Sequence, residues 1–289
     1  MSNREYLNET LKLLNERASL RSFSDKEVTE KTLNQLLEAG THAASGGNLQ
    51  PFSIIKIRDN KKKEKLVELG NQVFIKTAPV NLLFCIDYYR LRRIAEIEKA
   101  PFTATSSFAH FWIALEDTVI AAQTVCTAAD SIGLGSVYIG TIFTEPETLK
   151  SCKQLFELPD EVLPVVLVTM GYPKVKPPIK KKFDIYTLVH DEKYRIPTDE
   201  ELKEAVERKY DGQKFEVSEK DERIETIRKV CEKAHGKEFA DKVVQEIKKN
   251  GYISTFQYRF GLHYRADMMP EVNEDLIELI KEYGFDVFS

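Results

Sequence analysis

Arg17, Ser19 and Arg21 stand at alternate positions of a short basic connector, Arg17-Ala-Ser-Leu-Arg-Ser-Phe23. In an extended chain alternate side chains point the same way, so two guanidinium groups and a hydroxyl would converge on one spot. Planar guanidinium forks bind the oxygens of a phosphate dianion two at a time, and a hydroxyl adds a further hydrogen bond. The spacing therefore suits a phosphate monoester. Taken by itself it also describes solvated arginines at a helix end. Three further segments change the weighting. Ala44-Ser-Gly-Gly-Asn-Leu-Gln-Pro-Phe52 is a small-residue loop that lets something flat approach the backbone closely. Ser136-Val-Tyr-Ile-Gly140-Thr141 places a glycine at the end of a strand, where a backbone N–H can face a ligand. Lys180-Lys-Lys182 follows the strand exit Gly171-Tyr-Pro173.

Other chemistries are not signalled. Gly133-x-Gly135 with Gly140 imitates a dinucleotide fingerprint, but that fingerprint follows a strand and opens a helix, whereas these glycines close a helix and precede a strand. No GxxxxGKS, GxxxxGKT, HExxH or GxSxG motif occurs. His42, His110, His190, His235 and His263 form no metal-spaced pair, so no metal site is expected. Cys85, Cys126, Cys152 and Cys231 lie far apart without a CxxC pair, which fits a reducing cytoplasm. In 289 residues, 42% are apolar and 30% charged, the composition of an ordinary soluble globular protein. The formal charge of -4 gives no reason to expect a nucleic-acid partner. The N-terminus lacks an apolar h-region, which argues against a secretory signal. The run Phe108 to Leu134 is interrupted by Glu116, Asp117, Gln123 and Asp130, so it reads as a buried helix and not as a membrane span.

The elements that must carry these segments follow from periodicity and caps. Leu7, Leu11 and Leu14 share one face of a helix over roughly 3–17. Thr29 is an N-cap for a helix bearing Leu33, Leu36 and Leu37. A strand is expected over 52–58, then a charged helix over 60–70 leading to Asn71-Gln72. Val80 to Ile86 reads as a strand covered on both faces. The long apolar helix comes next, then a short strand over 136–139. Pro146 sits in the first turn of a helix reaching about Phe156, and Leu163 to Met170 is a further buried strand. From Asp199 the chain is mostly charged helix, with candidates at 199–211, 219–250 and 273–283. We therefore expect a core over 1–195 and a helical extension over 196–289 packed on it. The stripe Tyr252, Phe256, Tyr258, Phe260 and Tyr264 reads as core of that extension, with roofing of a flat ligand as the alternative.

Together the Arg-x-Ser-x-Arg connector, the run Gly-Leu-Gly-Ser-Val-Tyr-Ile-Gly closing the long helix, the small-residue loop and Lys180-x-Lys182 ahead of Val189-His-Asp-Glu-Lys-Tyr194 resemble the FMN-dependent nitroreductase family. The resemblance covers roughly residues 6–195. It is nearest to the oxygen-insensitive NADPH nitroreductase and flavin reductase branch with a C-terminal extension. It implies an α+β fold, a mixed β-sheet flanked by helices, and an intertwined homodimer. The long helix would be the central dimer helix, which explains why it is apolar nearly all round. The implied cofactor is FMN, with NADPH or NADH as electron donor and a small-molecule acceptor. Arg17, Ser19 and Arg21 would hold the phosphate and ribityl chain, and Lys180 and Lys182 would lie near the phosphate and the pyrimidine side. Asn71, with Gln72 as alternative, would bond the ring edge. Tyr138, Ile139, Gly140 and Thr141 form the implied flavin-contact strand end, Gly140 and Thr141 facing N5 and O4. Ala44, Ser45, Gly46 and Asn48 would reach the flavin of the other subunit. The implied activity is ping-pong hydride transfer to nitroaromatics, quinones or free flavin. Such chemistry belongs to the cofactor and needs no protein nucleophile.

Departures narrow what the resemblance implies. Ala18 stands where relatives often carry a second basic residue, and Lys182 where this branch often has Arg. Residues 212–270 lose the family pattern, and with it the loop that would read an NADPH 2′-phosphate. Arg208, Arg259 and Arg265 are candidates for that role. Reductive dehalogenation or flavin modification on the same scaffold remains open, as does a flavin-binding docking protein without turnover.

Overall fold

The computed structural model describes residues 5–218 and 220–288. Asn3 and Glu219, where two of the expected helices were to begin, lie outside them. The chain forms two compact units: Met1–Ile179 with Glu274–Ser289, and Lys180–Asn273. The division falls earlier than residue 195. The closing segment also groups with the first unit, because Leu279, Ile280, Tyr283 and Phe285 are buried in that unit's core.

In the first unit, α1 (Glu9–Glu16) and α2 (Glu30–Thr41) precede β1 (Phe52–Ile57). Each helix starts on a side-chain oxygen: Asn8 accepts from the Leu11 N–H, and Thr29 from that of Thr32. Next come α3 (Asn60–Gly70), α4 (Phe74–Thr77), β2 (Val80–Asp87), α5 (Tyr88–Glu98) and α6 (Phe108–Ser131). The chain continues with β3 (Gly135–Ile139), α7 (Thr141–Thr144), α8 (Pro146–Leu155) and β4 (Val162–Gly171). Helix α5 has no counterpart in the sequence reading. Tyr88 is its one fully buried residue and Leu91 packs on the same core, but Arg90, Arg92, Arg93, Glu96 and Glu98 crowd that stripe; the Asp87 side chain starts the helix, accepting from the Arg90 N–H at 2.9 Å.

The sheet has the order β1-β2-β4-β3. All three pairings are antiparallel, where a mixed sheet was expected. The apolar runs of β2 and β4 report burial on both faces, and both strands are buried along their whole length, but such a run is silent about strand direction. Helix α6 packs against all four strands and against α2. A Cβ on Gly40 of α2 would stand 2.5 Å from a Val125 methyl, so only glycine allows this approach.

The second unit holds α9 (Ile185–Leu188), α10 (Asp199–Tyr210), α11 (Glu222–His235), α12 (Lys237–Asn250) and α13 (Thr255–Tyr258), which runs into a π-helical turn over Arg259–His263. Strands β5 (Lys214–Glu216) and β6 (Tyr252–Ser254) form an antiparallel pair. The single helix expected over 219–250 is broken at Gly236, whose φ of 87° lies outside the helical region. Ile224, Ile227, Ile247 and Ile253 are the buried centre, with Phe215 and Tyr258 stacked at 4.3 Å beside them. Helix α14 (Asn273–Glu282) closes the chain. Among the described residues no helix is long and apolar enough to cross a membrane.

Candidate functional site

The connector lies along the edge of the sheet. The Leu20 N–H donates to the Ser136 carbonyl at 3.0 Å, and the Ser24 N–H to the Tyr172 carbonyl at 2.9 Å. Leu20 is buried against Gly135, where a Cβ would clash with it at 2.7 Å. With Leu20 inward, Ser19 and Arg21 stand exposed, as the alternation demands. Arg17 is half-buried: its Nη2 donates to Ser136 Oγ at 3.2 Å, and its Nε lies 3.3 Å from Asp130 Oδ2. Burial pushes the Asp130 carboxyl up to about 6, against the opposing pull of Arg17.

The other end of β3 makes a second corner. The strand ends at Ile139, which is buried, and α7 opens at Thr141. Gly140 is exposed, and the space its missing side chain would fill is open. The first N–H groups of a helix have no partner within it. Asn71 caps α3 in the left-handed conformation, φ 49°, its N–H donating to the Val67 carbonyl at 2.8 Å. A Cβ on the adjoining Gly70 would stand 3.4 Å from Thr141 Oγ1, which brings the end of α3 against the start of α7. Thr141 Oγ1 is itself buried and has no hydrogen-bond partner among the described residues. The Tyr138 hydroxyl donates to Gln123 Oε1 at 3.3 Å. The first unit thus sets Arg17, Ser19 and Arg21 at one end of β3, and Asn71, Gly140 and Thr141 at the other.

The small-residue loop is placed elsewhere. The Gly46 N–H lies 3.0 Å from both carboxylate oxygens of Asp117 on α6. Asp117 is buried, which raises its carboxyl while the Gly46 N–H lowers it. A Cβ on Gly46 would meet Ile113 at 2.7 Å, and Gly47 has φ 57°. Ala44 and Asn48 are exposed and Ser45 half-exposed. Asp117 and Asp130 are separated by about 20 Å of helix, at roughly 1.5 Å per residue. Within one chain, therefore, the loop and the connector do not meet.

Lys180 and Lys182 belong to the second unit. Both are exposed, and the intervening Lys181 pairs with Asp211. Of the arginines considered for a 2′-phosphate, Arg208 lies 3.1 Å from Asp184 and Arg265 2.8 Å from Asp267. Both are thus occupied by carboxylates. Phe256 and Phe260 of the aromatic stripe are exposed and line an apolar cavity of about 290 Å³ with Cys231 and His235, while Tyr258 belongs to the unit's core.

Asp117 and Asp130 are site residues that periodicity and motifs do not single out. The signal was present: a carboxylate in an otherwise apolar helix needs a partner once buried. In the sequence these aspartates registered only as interruptions of a span.

The model of the nitroreductase family matches residues 14–172, more than half of the chain, and the chain belongs to that family. It is 33% identical over 190 residues to the NAD(P)H FMN reductase of Bacillus subtilis, covering 65% of this chain and 75% of that one. It is 32% identical over 194 residues to the oxygen-insensitive NADPH nitroreductase of Salmonella typhimurium, covering 67% and 77%. The solved structure of the NfrA1 nitroreductase of Bacillus subtilis superimposes with a TM-score of 0.68 at 25% identity, covering 96% of this chain and 99% of that one.

Proposed function

We propose that this chain is an FMN-dependent oxidoreductase that accepts hydride from NADPH or NADH and passes it to a nitroaromatic, a quinone or free flavin. The observation that carries the reading is the two-ended arrangement along β3. Exposed Ser19 and Arg21, on the same connector as the inward-turned Arg17, suit a phosphate at one end. At the other end, exposed Gly140, the unpartnered Thr141 Oγ1 and Asn71 suit the polar edge of a flat ring. The residues present fit FMN on both counts. The activities for which the two relatives are named, FMN reduction and NADPH nitroreduction, support the same reading.

Bound FMN would supply the hydride chemistry at its ring. The protein's part is to grip and orient. Arg17, Ser19 and Arg21 would hold and neutralise the phosphate. Gly140 leaves room for close approach, and Asn71 would donate to or accept from the ring edge. A cation near the pyrimidine side favours the reduced, anionic ring.

The reading includes a homodimer. Helix α6 buries Phe111, Ala114, Ala121, Val125 and Ala129 against its own sheet. It also exposes Phe108, Trp112, Ile113, Val119 and Ile120, an apolar second face that a copy of the same helix would cover. A two-fold axis near Gln123, midway between Asp117 and Asp130, would carry the Gly46 loop of one copy toward the Arg17 of the other. That would unite the two groups that a single chain holds apart.

Steady-state oxidation of NADPH and of NADH, with menadione or nitrofurazone as acceptor, tests the activity. Turnover well above the protein-free rate with at least one donor is expected. No turnover with either donor, in protein loaded with FMN, would sink the proposal.

A further inference from the structure

Asp130 is an expensive residue where it stands. It lies in the last turn of α6, where the helix dipole disfavours a carboxylate. Its side chain is only 12% exposed, and burial disfavours the charge again. The compensation is the Nε of Arg17 at 3.3 Å. Ser136, wholly buried in β3, takes the Nη2 of the same guanidinium at 3.2 Å. Nε and Asp130 Oδ2 make no hydrogen bond among the described residues, so their contact is purely electrostatic, and Nη1 makes none either. A cavity of about 330 Å³ borders the pair, lined among others by Leu13, Gly135, Glu16 and Lys176. Cys126 and Tyr138 also face this cluster from α6 and β3.

We infer that Asp130 is a positioning residue. By a charge contact at Nε, beside the hydrogen bond from Nη2 to Ser136, it holds the Arg17 guanidinium in place and leaves Nη1 for a phosphate monoester. The inference rests on the reading that Arg17 grips the cofactor phosphate. An arginine on a free stem loses rotamer freedom when it binds an anion; one already held loses less. The carboxylate therefore contributes selectivity for the phosphorylated flavin over its dephosphorylated form, at a cost in stability.

The test is equilibrium binding of FMN and of riboflavin to the full-length, flavin-free protein, read by flavin fluorescence. The wild type should prefer FMN. Asp130→Ala should weaken FMN about tenfold while riboflavin changes less than about twofold. Asp130→Asn keeps the side chain's shape and an oxygen dipole facing Nε and should return FMN to within about threefold of wild type. Ser136→Ala, which removes only a buried hydroxyl, should show a smaller loss of the same selective kind and serves if Asp130→Ala does not fold. Equal weakening of both flavins, tighter FMN binding on charge removal, or an Asn variant as weak as the Ala variant would overturn the inference. A wild type that binds neither flavin would instead overturn the function on which it rests.

Discussion

Asp130 titrates near 6 in the folded protein, against 3.8 for an ordinary aspartate, because burial penalises its charge more than Arg17 stabilises it. The folded form therefore holds the proton more tightly than the unfolded chain. Between about pH 4 and 6 the native state binds more protons, so this residue's contribution to stability falls as pH rises through that window. Below the window both states are protonated, and above it the full penalty applies. The wild type should lose thermal stability relative to Asp130→Asn on going from pH 4 to pH 6.5. A difference in melting temperature that moves the other way would mean that the Arg17 pair outweighs burial. The same residues show what the sequence could not supply. The alternation of Arg17, Ser19 and Arg21 was legible because an extended backbone imposes it. The inward turn of Arg17 was not, because it depends on a carboxylate more than a hundred residues away.

Among the elements, α6 is the one that organises the site. It touches every strand of the sheet, anchors the Gly46 loop through Asp117 and holds the connector through Asp130. Its length and apolar character were legible, since a helix hydrophobic all round must be covered all round. Helix α5 was not, because its short stripe of Tyr88, Leu91 and Ala95 is crowded by five charged side chains. The boundaries of α3, the cap at Thr29 and the first-turn position of Pro146 follow from local chemistry and stand where that chemistry puts them. The exposed side of α6 yields a prediction of its own. Ile120→Asp would place a charge in the face proposed to pair with a second copy. It should weaken self-association at least about a hundredfold, moving the protein from dimer to monomer in light scattering. A wild type already monomeric, or a variant that stays dimeric, would refute that face as the interface.

At the scale of the whole chain, the family match ends at residue 172, while the likeness to the NfrA1 nitroreductase covers 96% of the chain. The second unit is thus recognisable by shape where its sequence is not. Its core is four isoleucines and a stacked Phe215–Tyr258 pair, which many sequences could replace. Gly236 divides what reads as one long helix, and the closing segment returns to the first unit because Tyr283 and Phe285 complete its core. The central claim, that this molecule exists to hold a redox-active flavin, is tested most directly by the visible spectrum of the purified full-length protein, loaded with FMN and titrated anaerobically with NADPH and with NADH. The account predicts a yellow protein whose flavin band bleaches with at least one donor and returns when an acceptor is admitted. A protein that stays colourless after reconstitution, or a bound flavin that neither donor bleaches, would contradict it.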